Sequence, residues 1–188
     1  VAMTKSYYLT TPIYYVNGKP HIGHAYTSIL CDTFARFHRM LGENVFYLTG
    51  TDEHGIKVQK AAAEQGKEPK AFVDAIVPEF KKLWEILGIQ YDHFIRTTDD
   101  YHKTTVQKVL SDLEKKGDIY KASYKGWYCT PCESFWTELQ LKDGKCPDCN
   151  RGVDQLEEEN YFFKMSTYQP WLIDYVQKHP DFIQPEYR

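Results

Sequence analysis

The run Ser6-Tyr7-Tyr8-Leu9-Thr10 is aromatic and β-favouring, and it passes through a turn-rich stretch into a long helical pattern. No other part of the chain constrains its fold as much. Residues 11–20 carry Pro12, Asn17-Gly18 and Pro20, residue types that supply turns. The helix that follows, expected over 23–41, shows apolar spacing through Ile22, Tyr26, Ile29, Leu30, Phe34, Phe37 and Leu41, with Gly42 placed to cap it. His21-Ile22-Gly23-His24 stands at the junction. A helix N-terminus offers unpaired backbone N–H groups and the positive end of a dipole, so it draws anions. Two histidines three residues apart share a side and can donate to phosphate oxygens. Gly23 leaves backbone within reach of a ligand. The competing reading is that either histidine merely caps or solvates the helix.

The pattern continues with a strand at 45–49, helices at 54–65 and 70–87, and a short strand at Phe94-Ile95-Arg96. A helix from about Tyr101 to Lys116 is opened by Asp99 or Asp100 and stopped at Gly117. Strands separated by helices imply parallel βαβ units with right-handed crossovers, whose ligands lie at the carboxyl ends of the strands. Asp52 falls just past the apolar Val45-Phe46-Tyr47-Leu48. There a carboxylate either pairs with a ligand ammonium or caps the next helix. Residues 1–117 thus form an α/β part whose three or so parallel strands leave sheet edges unpaired. From Ile119 the texture changes to short β-like runs and cysteines, so residues 118–188 read as a second module, with a helix at Tyr168 to Lys178 ended by Pro180. Glu157-Glu158-Glu159 reads as a solvated approach to a strand.

Lys and Arg total 23 against 26 Asp and Glu, a net charge of −3, so no global electrostatic attraction to nucleic acid is present. No apolar run approaches a membrane span and no secretory leader is recognisable, which points to the cytoplasm. Five cysteines without a secretory signal favour metal or structural thiols over disulfides. Cys129-Thr130-Pro131-Cys132 and Cys146-Pro147-Asp148-Cys149 are two CxxC turns separated by thirteen residues. Four thiolates fill a tetrahedral Zn2+ site with no open position, so the metal is expected to be structural. Cys31, on the first helix, is expected to be a small buried hydrophobe. A zinc ribbon that binds nucleic acid by itself is disfavoured: from Cys129 to Glu159, Lys142, Lys145 and Arg151 face eight Asp and Glu. Trp127, Phe135 and Trp136 are therefore assigned to packing around the metal core.

Tyr14-Tyr15-Val16-Asn17-Gly18-Lys19-Pro20-His21-Ile22-Gly23-His24, together with Thr51-Asp52-Glu53-His54-Gly55, resembles the amino-terminal part of the bacterial methionyl-tRNA synthetases. These are class I aminoacyl-tRNA synthetases, which share the HIGH signature. The similarity runs along nearly the whole chain, with Val1-Ala2 preceding an initiator-like Met3. It implies an α/β fold: the first half of a Rossmann-like, parallel-sheet nucleotide-binding domain with an inserted zinc-binding connective peptide. The implied activity is that of a methionine-tRNA ligase, which uses ATP with Mg2+ to activate L-methionine as methionyl-adenylate and transfers it to tRNA(Met).

By the same resemblance, His21 and His24 are catalytic and contact the triphosphate, and Tyr15, Asn17 and Gly23 complete the ATP-binding set. Ile13, Tyr15 and Asp52 hold methionine, Asp52 by its amino group, while Glu53 and His54 match the motif without an assigned act. Cys129, Cys132, Cys146 and Cys149 ligate zinc, and the insert helps to position the tRNA acceptor end; the acidic count of this segment suggests that it does so by shape rather than charge. The family's lysine-rich KMSKS loop belongs to a second half of the fold. Lys164-Met165-Ser166 begins like that loop but continues Thr167-Tyr168, and is expected to be a structural junction. The 188 residues alone are expected to bind substrates weakly and not to charge tRNA. Two alternatives stand beside this reading: another HIGH-bearing nucleotidyltransferase or a synthetase for another aliphatic amino acid, and a non-catalytic binding fragment. Neither DNA nor a membrane is expected as a partner.

Overall fold

A computed structural model describes residues 5–185, which form two compact units dividing between Thr105 and Val106. The first unit contains β1 (Ser6–Thr10), β2 (Tyr14–Tyr15), α1 (Ile22–Met40), β3 (Asn44–Asp52), α2 (Ile56–Glu64), α3 (Pro69–Ile86), β4 (His93–Arg96) and the start of α4 (Asp100–Lys116). The second contains the rest of α4, then β5 (Ile119–Cys129), β6 (Ser134–Trp136), β7 (Asp154–Phe163) and α5 (Met165–Lys178). No helix among the described residues is long and apolar enough to cross a membrane.

All pairings in the first sheet are parallel, as strands joined through helices require. Leu48 pairs with both Thr10 and His93, and Thr51 with both Tyr14 and Arg96. Hence β1 and β2 lie end to end along one edge of β3, and β4 lies along the other. β2 falls inside the stretch expected to be only turns, and β3 runs to Asp52 rather than stopping at 49. Gly50 permits the close crossing of β3 and β4, because a Cβ there would sit 2.0 Å from the Ile95 carbonyl oxygen. The core joins Tyr14, Val16, Tyr47 and Phe94 from the sheet side to Val58 and Ala62 of α2 and to Phe72, Val73, Val77, Phe80 and Trp84 of α3. Each large side chain so buried contributes about 1.5–3 kcal/mol.

The expected packing face of α1 is reversed. Ile22, Tyr26, Ile29, Leu30, Phe34, Phe37 and Leu41 are all exposed, Ile22 by 86% and Tyr26 by 70%, while Ser28, Cys31, Asp32 and Ala35 are buried. These four also recur at helical spacing, and their small size lets the helix lie close to the sheet. The buried carboxylate of Asp32 accepts from Arg36 Nε at 2.5 Å and from the Gln90 N–H at 2.7 Å, so it enters the seam fully paired. Cys31 is buried as expected, and burial raises its thiol pKa. Tyr8 and Phe46, on the sheet face turned away from the core, are likewise exposed and stack at 6.0 Å.

In the second unit β5 and β7 pair antiparallel over ten residues, from Ile119 opposite Phe163 to Tyr128 opposite Asp154, and β6 folds back on the cysteine end of β5. Phe135 packs on Tyr124 and Tyr128 at 4.9 and 4.8 Å. Glu157 and Glu159 are exposed and pair across the strands with Lys125 and Lys121, solvated as expected but inside β7 rather than on an approach to it. Lys164 is the N-cap of α5 directly after β7, so Lys164-Met165-Ser166 is the strand-to-helix junction expected, and α5 begins three residues before Tyr168.

Candidate functional site

His21 occupies the N-cap of α1 with extended backbone (φ −130°, ψ 177°). Its Nδ1 accepts the Gly23 N–H at 3.1 Å, and its own N–H donates to His24 Nδ1, also at 3.1 Å. The two histidines thus close a capping box, a role usually taken by a hydroxyl and a carboxylate. The rings stack at 3.8 Å with 26° between planes. With both Nδ1 atoms engaged as acceptors, each neutral ring carries its proton on Nε2. The pair therefore presents two Nε2–H donors. His24 is backed by the Tyr14 and Phe80 rings at 4.8 and 5.2 Å, and burial, followed by the proximity of His21, holds its pKa below the ordinary 6.5. Capping and ligand donation are thus compatible, since they use opposite ring nitrogens. The expectation of an unoccupied N-terminus needs one correction, because the Gly23 N–H is already taken by His21. A Cβ at Gly23 would stand 3.0 Å from His21 Cε1 and 3.1 Å from Nδ1, crowding the cap itself.

Asp52 is the half-buried last residue of β3, and its Cα partner is Tyr15. Helix α2 begins only at Ile56, with Gly55 as N-cap and no side-chain cap, so Asp52 does not cap it. Tyr15 is 38% exposed, with Lys57 Nζ 5.1 Å from its ring centroid. Ile13 and Asn17 stand exposed on either side of β2. Beneath these residues, Tyr14 Oη and Ser28 Oγ lie 2.9 Å apart and the Tyr47 hydroxyl donates to the Ser28 carbonyl at 3.2 Å. That buried polar seam ties β2 and β3 to α1. The structure brings His21 together with His24 and Tyr15 together with Asp52, all at the carboxyl side of the parallel strands.

One group escaped sequence reasoning. Glu53 follows Asp52 with its side chain fully shielded from solvent and forked by Arg96, whose Nε and Nη2 donate at 2.7 and 2.8 Å. Burial raises its pKa, but the donors Arg96, Thr51 and Thr98 outweigh this and hold it below the ordinary carboxylate value. Glu53 lay inside the quoted motif, yet only the three-dimensional pairing of β3 with β4 reveals its partner.

In the second unit the four sulfurs of Cys129, Cys132, Cys146 and Cys149 lie within 4.8 Å of one another. Cys129 and Cys149 approach to 3.5 Å and Cys132 and Cys146 to 3.9 Å, close to the edge of about 3.8 Å expected for a tetrahedron of 2.3 Å metal–sulfur bonds. Glu133 and Asn150, each directly after the second cysteine of its pair, both have positive φ (53° and 56°), so the two turns are built alike. The neighbouring thiol of Cys149, then burial, push Cys132 up to about 12. Burial also acts to raise Cys146, but backbone N–H groups at Cys149 and Asp148 bring it down to about 7. The donor set fits a closed four-thiolate metal site.

Residues 7–155 match the family model of the class I tRNA synthetases (M). The chain is 59% identical over 186 residues to the methionine–tRNA ligase of Caldanaerobacter subterraneus, covering 99% of this chain and 29% of that protein. It is 53% identical over 186 residues to the methionine–tRNA ligase of Thermotoga maritima, covering 97% and 30%. A solved structure of Mycobacterium tuberculosis methionyl-tRNA synthetase in complex with methionyl-adenylate superposes with a TM-score of 0.92 at 41% identity, covering 98% of this chain and 37% of that one. The chain spans somewhat under a third of the length of these curated relatives. With the HIGH capping box, the parallel sheet and the four-cysteine module all in place, the chain belongs to the class I methionyl-tRNA synthetase family.

Proposed function

We propose that these residues form one side of a methionine-adenylating site, with His21 and His24 donating to the ATP phosphates and Asp52 receiving the methionine ammonium. The single observation that carries the reading is the capping box, which engages both Nδ1 atoms and so leaves the two Nε2–H groups as the donors of the pair at a helix N-terminus. In adenylation the methionine carboxylate attacks the α-phosphorus of ATP, held there with Mg2+, and pyrophosphate leaves. Little covalent work falls to the protein, which must align the reactants and stabilise charge developing on phosphate oxygens. Neutral Nε2–H donors suit this task, because they pair with the developing charge without first giving up a proton. Tyr15, Asn17 and Gly23 line the nucleotide approach, and Ile13 and Tyr15 give the thioether apolar and aromatic contacts.

Transfer of the methionyl group to tRNA(Met) is the implied second step. We place the end of the nucleotide-binding part at 117/118, where α4 gives way to the antiparallel module, twelve residues past the division between the two compact units, and the four cysteines of that module would hold a structural Zn2+. The zinc would supply folding stability and no chemistry. The exposed apolar stripe of α1 and the uncovered sheet face carrying Tyr8 and Phe46 are where further residues of a longer, relative-like protein would pack. The setting is the cytoplasm.

In a full-length protein carrying these residues, H24A is expected to lower methionine-dependent ATP–pyrophosphate exchange by about 10²–10³ while leaving methionine binding nearly unchanged. Exchange at the wild-type rate in H24A would show the assignment to be wrong.

A further inference from the structure

Glu53 is saturated with donors. Its carboxylate accepts from Thr51 Oγ1 at 2.6 Å, Arg96 Nε at 2.7 Å, Arg96 Nη2 at 2.8 Å and Thr98 Oγ1 at 2.5 Å. Its backbone N–H donates to Thr97 Oγ1 at 2.9 Å. Arg96 Nη2 continues to Asp74 Oδ1 on α3 at 2.5 Å, and Asp74 in turn binds Lys70. Five contacts therefore lock the residue next to Asp52 onto β4, the loop after it, and β3 itself. Successive residues of an extended chain point to opposite sides, so fixing Thr51 and Glu53 on one side directs Asp52 to the other. Arg96 also neutralises Glu53 inside the fold. A ligand at this strand end consequently meets the single negative charge of Asp52.

A buried ion pair is a poor way to gain stability, since desolvating both charges offsets most of their attraction. A bidentate fork between an arginine and a carboxylate does, however, fix geometry tightly. We propose that Glu53 and Arg96 are positioning residues for methionine: they hold the end of β3 so that Asp52 meets the substrate ammonium in a fixed orientation and as an isolated charge. The proposal rests on the assignment of Asp52 to the ammonium given above. It extends that assignment to two residues that need never touch the substrate.

The test is the KM for methionine and for ATP in pyrophosphate exchange by the full-length protein as wild type, E53Q, D52N and the D52N/E53Q double variant, with thermal midpoints recorded alongside. E53Q keeps the size of the side chain but replaces one acceptor oxygen facing Arg96 by a donor. It is expected to raise the methionine KM on the order of tenfold while the ATP KM stays within about twofold, a coupling of ordinary size for contacting residues. D52N is expected to raise the methionine KM more, and adding E53Q to D52N should then change it little, because Glu53 acts through Asp52. An unchanged methionine KM in E53Q, an equal rise in both KM values, or full additivity in the double variant would overturn the positioning role while leaving the Asp52 assignment intact. An unchanged methionine KM in D52N would instead remove that assignment, and the positioning role with it. If E53Q does not fold, R96K keeps the charge but not the fork and should give the same selective rise; an unchanged methionine KM in R96K would refute the proposal.

Discussion

At the scale of single residues, the capping role of the two histidines and the phosphate-donor role proposed for them can be separated by substitution. Asn at position 21 can cap a helix with its side-chain oxygen but offers no ring N–H, so H21N should retain thermal stability while exchange activity falls. H21A should lose both, with about 1 kcal/mol of cap energy gone from denaturant unfolding. At the candidate site, His24 and Glu53 each contribute to the pH dependence of stability. His24 has its pKa lowered in the fold, so the unfolded chain binds the proton more readily, and stability is lost as pH falls below the ordinary value of 6.5. Protonated Nδ1 could no longer accept from the His21 N–H, so the capping box opens with it. Thermal midpoints measured from pH 7 to 5 should fall more steeply in the wild type than in H24A. Glu53 also has a lowered pKa, but as an acid: its contribution is complete above the ordinary 4.5 and disappears as pH drops through the lowered value. In E53Q that second, more acidic decline should be smaller but not absent, because Glu43, Asp74, Asp100 and Asp118 are also held below their ordinary values.

At the scale of elements, α1 shows how far a hydrophobic pattern can be trusted. Its 3.6-residue period located the helix correctly, with Gly42 just past its end at φ +76°, yet the stripe with the larger side chains is the exposed one. Periodicity reports that a helix has two faces. It does not say which one meets this sheet, and here the closeness of the packing selected Ser28, Cys31, Asp32 and Ala35. A35L should therefore overpack the seam and cost about 1–3 kcal/mol in chemical denaturation of this chain, whereas L30S, on the exposed stripe, should cost far less. The reverse order would place the packing face where the sequence pattern had put it. The element order, the two CxxC turns and the His21 junction were legible because each depends on local spacing. Strand β2, the extension of β3 to Asp52, and the Glu53–Arg96 fork were not, because they arise from pairings such as Thr51 with Arg96, separated by 45 positions.

For the molecule as a whole, the two units depend on different sources of stability. The first has a continuous apolar core of aromatic and branched side chains, while the second is held by one long antiparallel pair and the four-cysteine cluster. Chelation of zinc should thus melt the β5–β7 sheet and leave the parallel sheet folded, as read by hydrogen exchange; C146S should do the same and lower bound zinc from one equivalent towards none. Equal loss of protection in both units on chelation would contradict this division. The central claim is that the Nε2–H pair of His21 and His24, with Asp52 at the end of β3, serves methionine activation. It is tested most directly by ATP–pyrophosphate exchange by the full-length protein across a panel of amino acids. The account predicts exchange with methionine and, at equal concentration, at most a few per cent of that rate with leucine, isoleucine or valine. Exchange supported as well by one of those three, or by none of the four, would contradict it.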